Sequence, residues 1–559
     1  MVPHYQRLCF IALFVLVTAC QQREGVDLLL VNAEIYTVDE AKPWAEALAI
    51  REGQIVGVGD DQQIRAAFRG PEKDMRGQMI LPGLHDSHSH LIYGGLQLMQ
   101  CNLVGLADQI ELLGAIRECD QALPAGAWLV GAGFDLSIFP GANPSKQLLD
   151  AVNAERRMFI RGADGHSAWV SSAALDDAGI AFDSPDPENG IIERDDQLAP
   201  SGVLRESAML LVEDVLPKMN LEARQTAGLE AIALAHRFGI TSVIDAATTV
   251  LEAEAYEALA ETGQLNMRMV LAMSVIAPFF EPAPVESVRP EDLSSEQLVK
   301  RQSLKIFVDG VLEGETAALL APYISETPHR GMLITPAEIL VEKVVAYDAM
   351  GIQLMFHAIG DRGVRVALDA IEAARRVNGD QDLRHHISHL QLIDPEDQSR
   401  FARLNVAANF QALWALPDTY VMDINLPAVG AERVERMYPI RSLQQRSARV
   451  VGGSDWPVSS MNPLLAIETA LTRSDPAGNI EGVLNAEERV SLESMIEAYT
   501  KNGAWLMHQE QLTGQIQVGK KADLVVLSEN LFGLPPEKIG EVEVVATYFD
   551  GREVYTHER

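Results

Sequence analysis

Six side chains able to ligate a metal stand out before any element is assigned: His88, His90, Lys305, His357, His389 and Asp455. The first two are one residue apart in ILPGLHDSHSHL, Ile80 to Leu91. On a strand, residues i and i+2 project from the same face, so both imidazoles can reach one ion. Alone the pair is weak evidence, because histidines at this spacing are also ordinary polar residues where a strand leaves its sheet. The other four strengthen it. Lys305 lies inside the apolar run LKIFV, His357 and His389 end strand-like runs, and Asp455 follows another. Imidazoles and a carboxylate suit a borderline divalent ion, with zinc the default. A bare ammonium at Lys305 would be costly to bury. Carboxylation by carbon dioxide would make it an anionic oxygen ligand able to bridge two ions; a buried lysine paired with Asp245 or Asp309 is the other reading.

For these residues to meet, the elements carrying them must end on one surface. Apolar or β-rich runs recur at 240–245, 267–273, 304–308, 351–356, 385–388, 406–410 and 448–452, with helical patterns at 221–238, 252–261, 336–350, 362–377 and 395–404. With the strand before His88 this makes eight strands in mostly βα alternation. The expected fold is α/β, a (β/α)8 TIM-like barrel whose C-terminal strand ends share one rim. An open doubly wound sheet is the alternative. Short strands with Gly and Asp turns fill 20–80 and return at 511–559, and neither set is large enough to bury a core. The two are expected to pair into one small β-sandwich domain built from both chain ends. The barrel then spans 81–510. Within it, 96–220 reads as an insertion subdomain, with an amphipathic stretch from Leu106 to Leu123, GAGFD ending at Asp135, and DGHSAW from Asp164 to Trp169.

Composition bounds the function. The chain is 47% hydrophobic and 22% charged, as in a soluble globular protein. Its 79 acidic residues against 45 basic ones give a net charge of -34, which argues against a nucleic-acid partner. The acidic excess is read as a solvated surface, with preference for a cationic substrate as the second reading. Residues 1–19 read as an export signal whose apolar run, Leu8 to Val17, is too short to span a bilayer. Val17-Thr18-Ala19-Cys20 resembles a lipobox, making Cys20 the lipidation site of a lipoprotein at the outer membrane facing the periplasm; a plain secretory signal and a soluble periplasmic or secreted protein is the alternative. Cys101 and Cys119 are left either paired or free.

Several motifs carry a family resemblance: PGLHDSHSH at Pro82 to His90, DGHSAWVSSAAL at Asp164 to Leu175, GITSVIDA at Gly239 to Ala246, LKIFVDGVLEGETAAL at Leu304 to Leu319, HAIGD at His357 to Asp361, and GGSDWPV at Gly452 to Val458. From about Asp27 to the C-terminus the chain resembles the amidohydrolase superfamily, in particular amidohydrolase family 3, the branch with N-substituted formamide deformylases. The resemblance implies a metal centre of His88, His90, carboxylated Lys305, His357, His389 and Asp455. It also implies metal-dependent hydrolysis of a C–N bond in a small amide, formamide, carbamate or cyclic amide. On this reading His88, His90, Lys305 and Asp455 hold a first ion, and Lys305, His357 and His389 a second. Asp455 doubles as the proton acceptor. His166 is the candidate oxyanion donor or substrate contact, or else a histidine capping a loop. Asp135, Trp169, Trp414 and Trp456 are candidate pocket residues, with core packing the alternative for the tryptophans. The sequence departs from the family pattern at Ser388, where relatives usually carry Glu, in ANFQALW after the seventh strand, and at Leu136. The expected partner is a small-molecule substrate, a homo-oligomer is left open, and a metal-dependent esterase or a non-catalytic ligand-binding lipoprotein are the alternative functions.

Overall fold

Eight parallel strands, each paired with the next in chain order, form the sheet that carries the six residues. They are β1 (Leu84–Ser89), β2 (Ile240–Thr248), β3 (Arg268–Ile276), β4 (Val299–Phe307), β5 (Gln353–Ala358), β6 (His386–His389), β7 (Ala407–Phe410) and β8 (Val450–Gly452). The computed structural model describes residues 23–557 apart from 107, 278–279 and 295. The expected leader and Cys20 lie outside the described residues. β2 is buried along all nine residues, as a parallel strand covered on both faces must be. Helices Leu221–Arg237, Val250–Glu261, Ala337–Ala349 and Asp361–Asn378 alternate with the strands. Thr249 and Glu252 form a reciprocal capping box that starts the second of these. The ring closes where the Asp455 amide donates to the His88 carbonyl and Ser89 bridges to Trp456. The fold is thus the TIM-like α/β barrel that the alternation predicts, with additional sheets.

The stretch Ile80 to Leu91 is not one strand. Met79–Pro82 runs antiparallel to Leu524–Leu527 in a six-stranded sheet that also holds Glu34–Tyr36 and Val544–Phe549. β1 begins only after Gly83, which sits so close to β2 that an added Cβ would lie 2.2 Å from Thr241 Oγ1. The chain therefore changes sheets at Pro82-Gly83. A second, four-stranded sheet comes from the N-terminal part alone. The two sheets share a core that includes Leu48, Ile50, Ile80, Leu524 and Tyr548.

Between β1 and β2 the chain builds a six-stranded sheet from Cys101 to Glu206. Its amphipathic segment is the helix Gln109–Ala122, capped by Asp108. Cys101 and Cys119 form a disulfide that ties this helix to the first strand of the subdomain. Among the described residues no helix is long and apolar enough to cross a membrane.

Candidate metal centre and substrate cavity

His88 and His90 occupy the C-terminal end of β1, and their Nε2 atoms each lie 3.1 Å from Asp455 Oδ1. Ligands held about 2.0–2.2 Å from one small ion sit roughly 3.0–3.5 Å from one another, so this spacing suits a shared metal. Among the described residues these three form the one group of His, Cys, Asp or Glu side chains tight enough to hold an ion. Lys305 reaches in from β4, with Nζ 3.1 Å from His88 Nε2 and 4.7 Å from the centroid of Phe307. It pairs with neither carboxylate named as its alternative partner. Asp245 accepts from Tyr256 and the Leu91 amide, while Asp309 accepts from the Ala318, Ile359 and Gly360 amides.

His357 and His389, from β5 and β6, complete the cluster with ring centroids 4.4 Å apart. Their outer contacts set their tautomers. The Gly310 carbonyl accepts from His357 Nε2 at 3.1 Å, leaving the Nδ1 lone pair free to ligate. Gln411 Oε1 accepts from His389 Nδ1 at 2.8 Å, so Nε2 carries the lone pair. That Nε2 is buried without a hydrogen-bond partner, as a ligand atom in a metal-free chain would be. The Nδ1 atoms of His88 and His90 are likewise buried without partners among the described residues. The donor set fits a divalent ion: three or four imidazoles, one carboxylate and a convertible amine.

Burial dominates the electrostatics. It pushes His88, His357 and His389 well below the ordinary imidazole range, leaving them neutral and able to ligate. Burial also lowers Lys305 to about 7, so the free amine that carbon dioxide attacks is populated near neutrality. Burial pushes Asp455 upward, but His88, His90 and His389 outweigh it and hold the carboxylate well below its usual range.

The backbone around the centre is unusually constrained. His389 (φ 80°) and Asp455 (φ 55°) both occupy the left-handed region that non-glycine residues avoid. Strain of this kind persists only where the surroundings over-determine it. Asp86 supplies part of that support by accepting from the Ser454 amide and hydroxyl and from the His88 amide. Gly453 is required beside it, because an added Cβ would lie 2.7 Å from His88 Cβ.

The centre opens into a cavity of about 1050 Å³ lined by residues of the barrel rim and the insertion. His166 faces it, with its ring 5.2 Å from that of His357. Burial pushes His166 down, yet Glu206, accepting from Nδ1 at 2.9 Å, and Asp164 raise it above the ordinary imidazole value. Asp135, Trp414 and Trp456 also line the cavity, and Trp414 stacks on His389 with the rings nearly parallel. Trp169 does not. It is fully buried against Phe134 and Phe139, and its indole N–H donates to the Ser145 carbonyl. Its expected pocket role is corrected to core packing. Sequence reasoning missed Gln411, Glu206 and Asp86, each of which acts by orienting another site residue.

Comparison with known proteins agrees with this architecture. Residues 72–555 match the model of the amidohydrolase family. Protein LONG AFTER FAR-RED 3 of Arabidopsis thaliana is 31% identical, covering 95% of this chain and 91% of that one. An N-substituted formamide deformylase of Arthrobacter pascens is 28% identical, with 94% and 97% covered. A crystal structure of an uncharacterized metal-dependent hydrolase from Pyrococcus horikoshii superposes with a TM-score of 0.70 at 22% identity, covering 91% of this chain and 99% of that one. The chain belongs to the amidohydrolase family.

Proposed function

We propose that this member of the amidohydrolase family cleaves the C–N bond of a small amide or formamide at a zinc centre held by His88, His90, Lys305, His357, His389 and Asp455. The observation that carries the reading is the meeting of His88 Nε2, His90 Nε2 and Asp455 Oδ1 at the barrel rim, at the floor of the cavity. These residues would hold a divalent ion, whose contribution when bound would be to lower the pKa of water and polarise a carbonyl. The rest of the chemistry falls to side chains. Asp455 takes the proton from water and returns it to the departing nitrogen. His166, kept protonated by Glu206, donates to the carbonyl oxygen as negative charge develops on it. Lys305, as the free amine, adds carbon dioxide to form a carbamate with loss of one proton, which turns it into an anionic ligand. Trp414 and Trp456 give the substrate apolar walls.

The experiment measures metal content of the full chain purified without chelator, together with turnover of paired amides and esters. Near-stoichiometric zinc with amide turnover is expected. Metal loading with ester turnover alone would move the assignment to an esterase, and a chain that neither holds nor regains metal would overturn it.

Export is part of the same proposal. The Cys101–Cys119 disulfide suits an oxidising compartment, which supports the lipoprotein signal read around Cys20. Cys20→Ser should move the protein from the membrane fraction to the soluble one; an unchanged distribution would sink the lipid anchor.

A further inference from the structure

The wall of the cavity has a charge pattern that hydrolysis of an amide does not require. Asp135, Asp164, Glu313 and Asp418 all line it, and no lysine or arginine is among the described lining residues. None of the four makes an ion pair among the described residues, and their hydrogen bonds are to amides, hydroxyls and Asn425. Carboxylates this close repel. Burial and then the charges of Glu313 and Asp135 push Asp418 up to about 7. Burial raises Glu313 as well, with Asp164 adding to it.

An independent observation points to a ligand at the same wall. Gln391, only 5% exposed, lines the cavity; its Nε2 donates to Tyr438 at 2.6 Å, and its Oε1 is buried with no donor. Tyr438 in turn feels the charges of Asp418 and Glu313, so the orphaned oxygen belongs to the same neighbourhood. The Gln391 oxygen is an acceptor without a donor and the Tyr420 hydroxyl, also buried without a partner among the described residues, can accept as well, so beside these carboxylates a ligand with N–H donors and positive charge is favoured. Tyr420 supplies an aromatic face that also favours a cation.

We propose that the substrate carries, at the end remote from the scissile bond, a cationic nitrogen of the ammonium, amidinium or guanidinium class that is held by Glu313, Asp418 and Asp135 and donates to Gln391. The assignment rests on the hydrolase reading for its word substrate; the cation site stands on the wall itself. A metal ion is the wrong occupant. Among the described residues only His88, His90 and Asp455 bring three ligand atoms within 4.8 Å of one another, so these carboxylates are too widely set to close on one inorganic ion. An organic cation reaches carboxylates through N–H bonds of about 2.8–3.0 Å rather than metal–oxygen contacts near 2 Å, so it tolerates the wider setting. His166 adjoins both the centre and the wall, with its ring 5.2 Å from that of His357 and its amide donating to Asp164. A substrate with its carbonyl at the metal therefore extends a short arm to reach the carboxylates.

The test titrates the metal-loaded full chain calorimetrically with pentylammonium and with pentan-1-ol, then repeats it with Glu313→Gln, Asp418→Asn and the double variant. Each replacing amide oxygen still accepts from Asn425 or from the Val421 amide, so the local hydrogen bonds survive. Pentylammonium should bind at least tenfold tighter than the alcohol, a preference worth about one ion pair in a partly solvated cavity. That ratio should fall to within about twofold in the double variant and part of the way in each single one. A wild-type ratio near one, or a ratio unchanged in all three variants, would overturn the proposal. Turnover of N-(5-aminopentyl)formamide against N-(5-hydroxypentyl)formamide separates this failure from failure of the hydrolase reading. Cation binding without turnover of either formamide supports the wall and sinks the hydrolase assignment. Equal turnover of the two without a binding preference does the reverse.

Discussion

Gln411→Met removes the acceptor for His389, along with a weak donor to Asn409, and leaves every proposed metal ligand in place. Gln411 is 1% exposed and follows β7, where Oε1 accepts from His389 Nδ1 at 2.8 Å while Nε2 makes a longer contact of 3.3 Å to Asn409 Oδ1. Without that oxygen, the metal-free chain can relax by moving the His389 proton to Nε2. The metal-bound chain cannot, because Nε2 is then engaged and the proton must stay on Nδ1, buried and unpaired. An unsatisfied buried donor costs about 1–3 kcal/mol. That cost falls on the bound state alone, so zinc affinity should drop about ten- to a hundredfold, the range typical of groups that orient metal ligands. Gln411→Glu keeps the acceptor and strengthens it by charge, and should hold zinc at least as tightly as the wild type. The assay is competition for zinc against a chromophoric chelator, with circular dichroism to confirm folding. A folded Gln411→Met variant within twofold of wild type, or a Gln411→Glu variant that weakens as much as Gln411→Met, would refute the tautomer argument.

Three further outcomes are expected. Lys305→Ala should lose metal and at least a hundredfold in kcat/KM together, because the amine sits 3.1 Å from His88 and pairs with neither Asp245 nor Asp309; full metal content with ordinary turnover would remove Lys305 from the centre. His166 has its pKa raised in the folded protein, so it stays protonated up to and beyond 6.5 and its contribution is lost as pH rises through the folded value. Glu206→Gln should therefore move the alkaline limb of kcat/KM to lower pH, and a limb that stays in place would show that His166 is not the titrating donor. Cys101→Ser opens a cross-link between residues separated by 18 positions and should cost the insertion about 3 kcal/mol, read as a lower melting temperature that reductant reproduces in the wild type; equal melting with and without reductant would contradict it.

The barrel was legible because a parallel strand buried on both faces reads as a short apolar run, and because the ligating residues stand where those runs stop. The sheet change at Pro82-Gly83 was hidden inside a run apolar on both sides of the turn, although Pro-Gly itself was the signal. Trp169 was misplaced although its sequence carried the clue. It lies three residues from His166 and inside the strand Ser167–Val170, so the two project to opposite faces. Gln411, Glu206 and Asp86 could not be found by pattern, because each partners a residue brought near only by folding: Asp86 meets Ser454 across 368 positions. The short helices between Tyr420 and Gln445, one of them a π-helix, follow no single period and were not anticipated.

The sheet change at Gly83 also governs how the protein is made. Met79–Pro82 waits for Leu524–Leu527, a partner roughly 450 residues further along the chain. At typical synthesis rates of about 5–20 residues per second, that leaves a strand edge open for roughly 20–90 seconds. The N-terminal strands therefore cannot mature as an independent unit while the rest is being synthesised, and an exposed edge is an invitation to the wrong neighbour. If the chain is exported unfolded, as proposed, assembly once both ends have arrived would avoid that interval. A chain truncated before residue 524 should accumulate as aggregate even though all six proposed metal ligands are present in it.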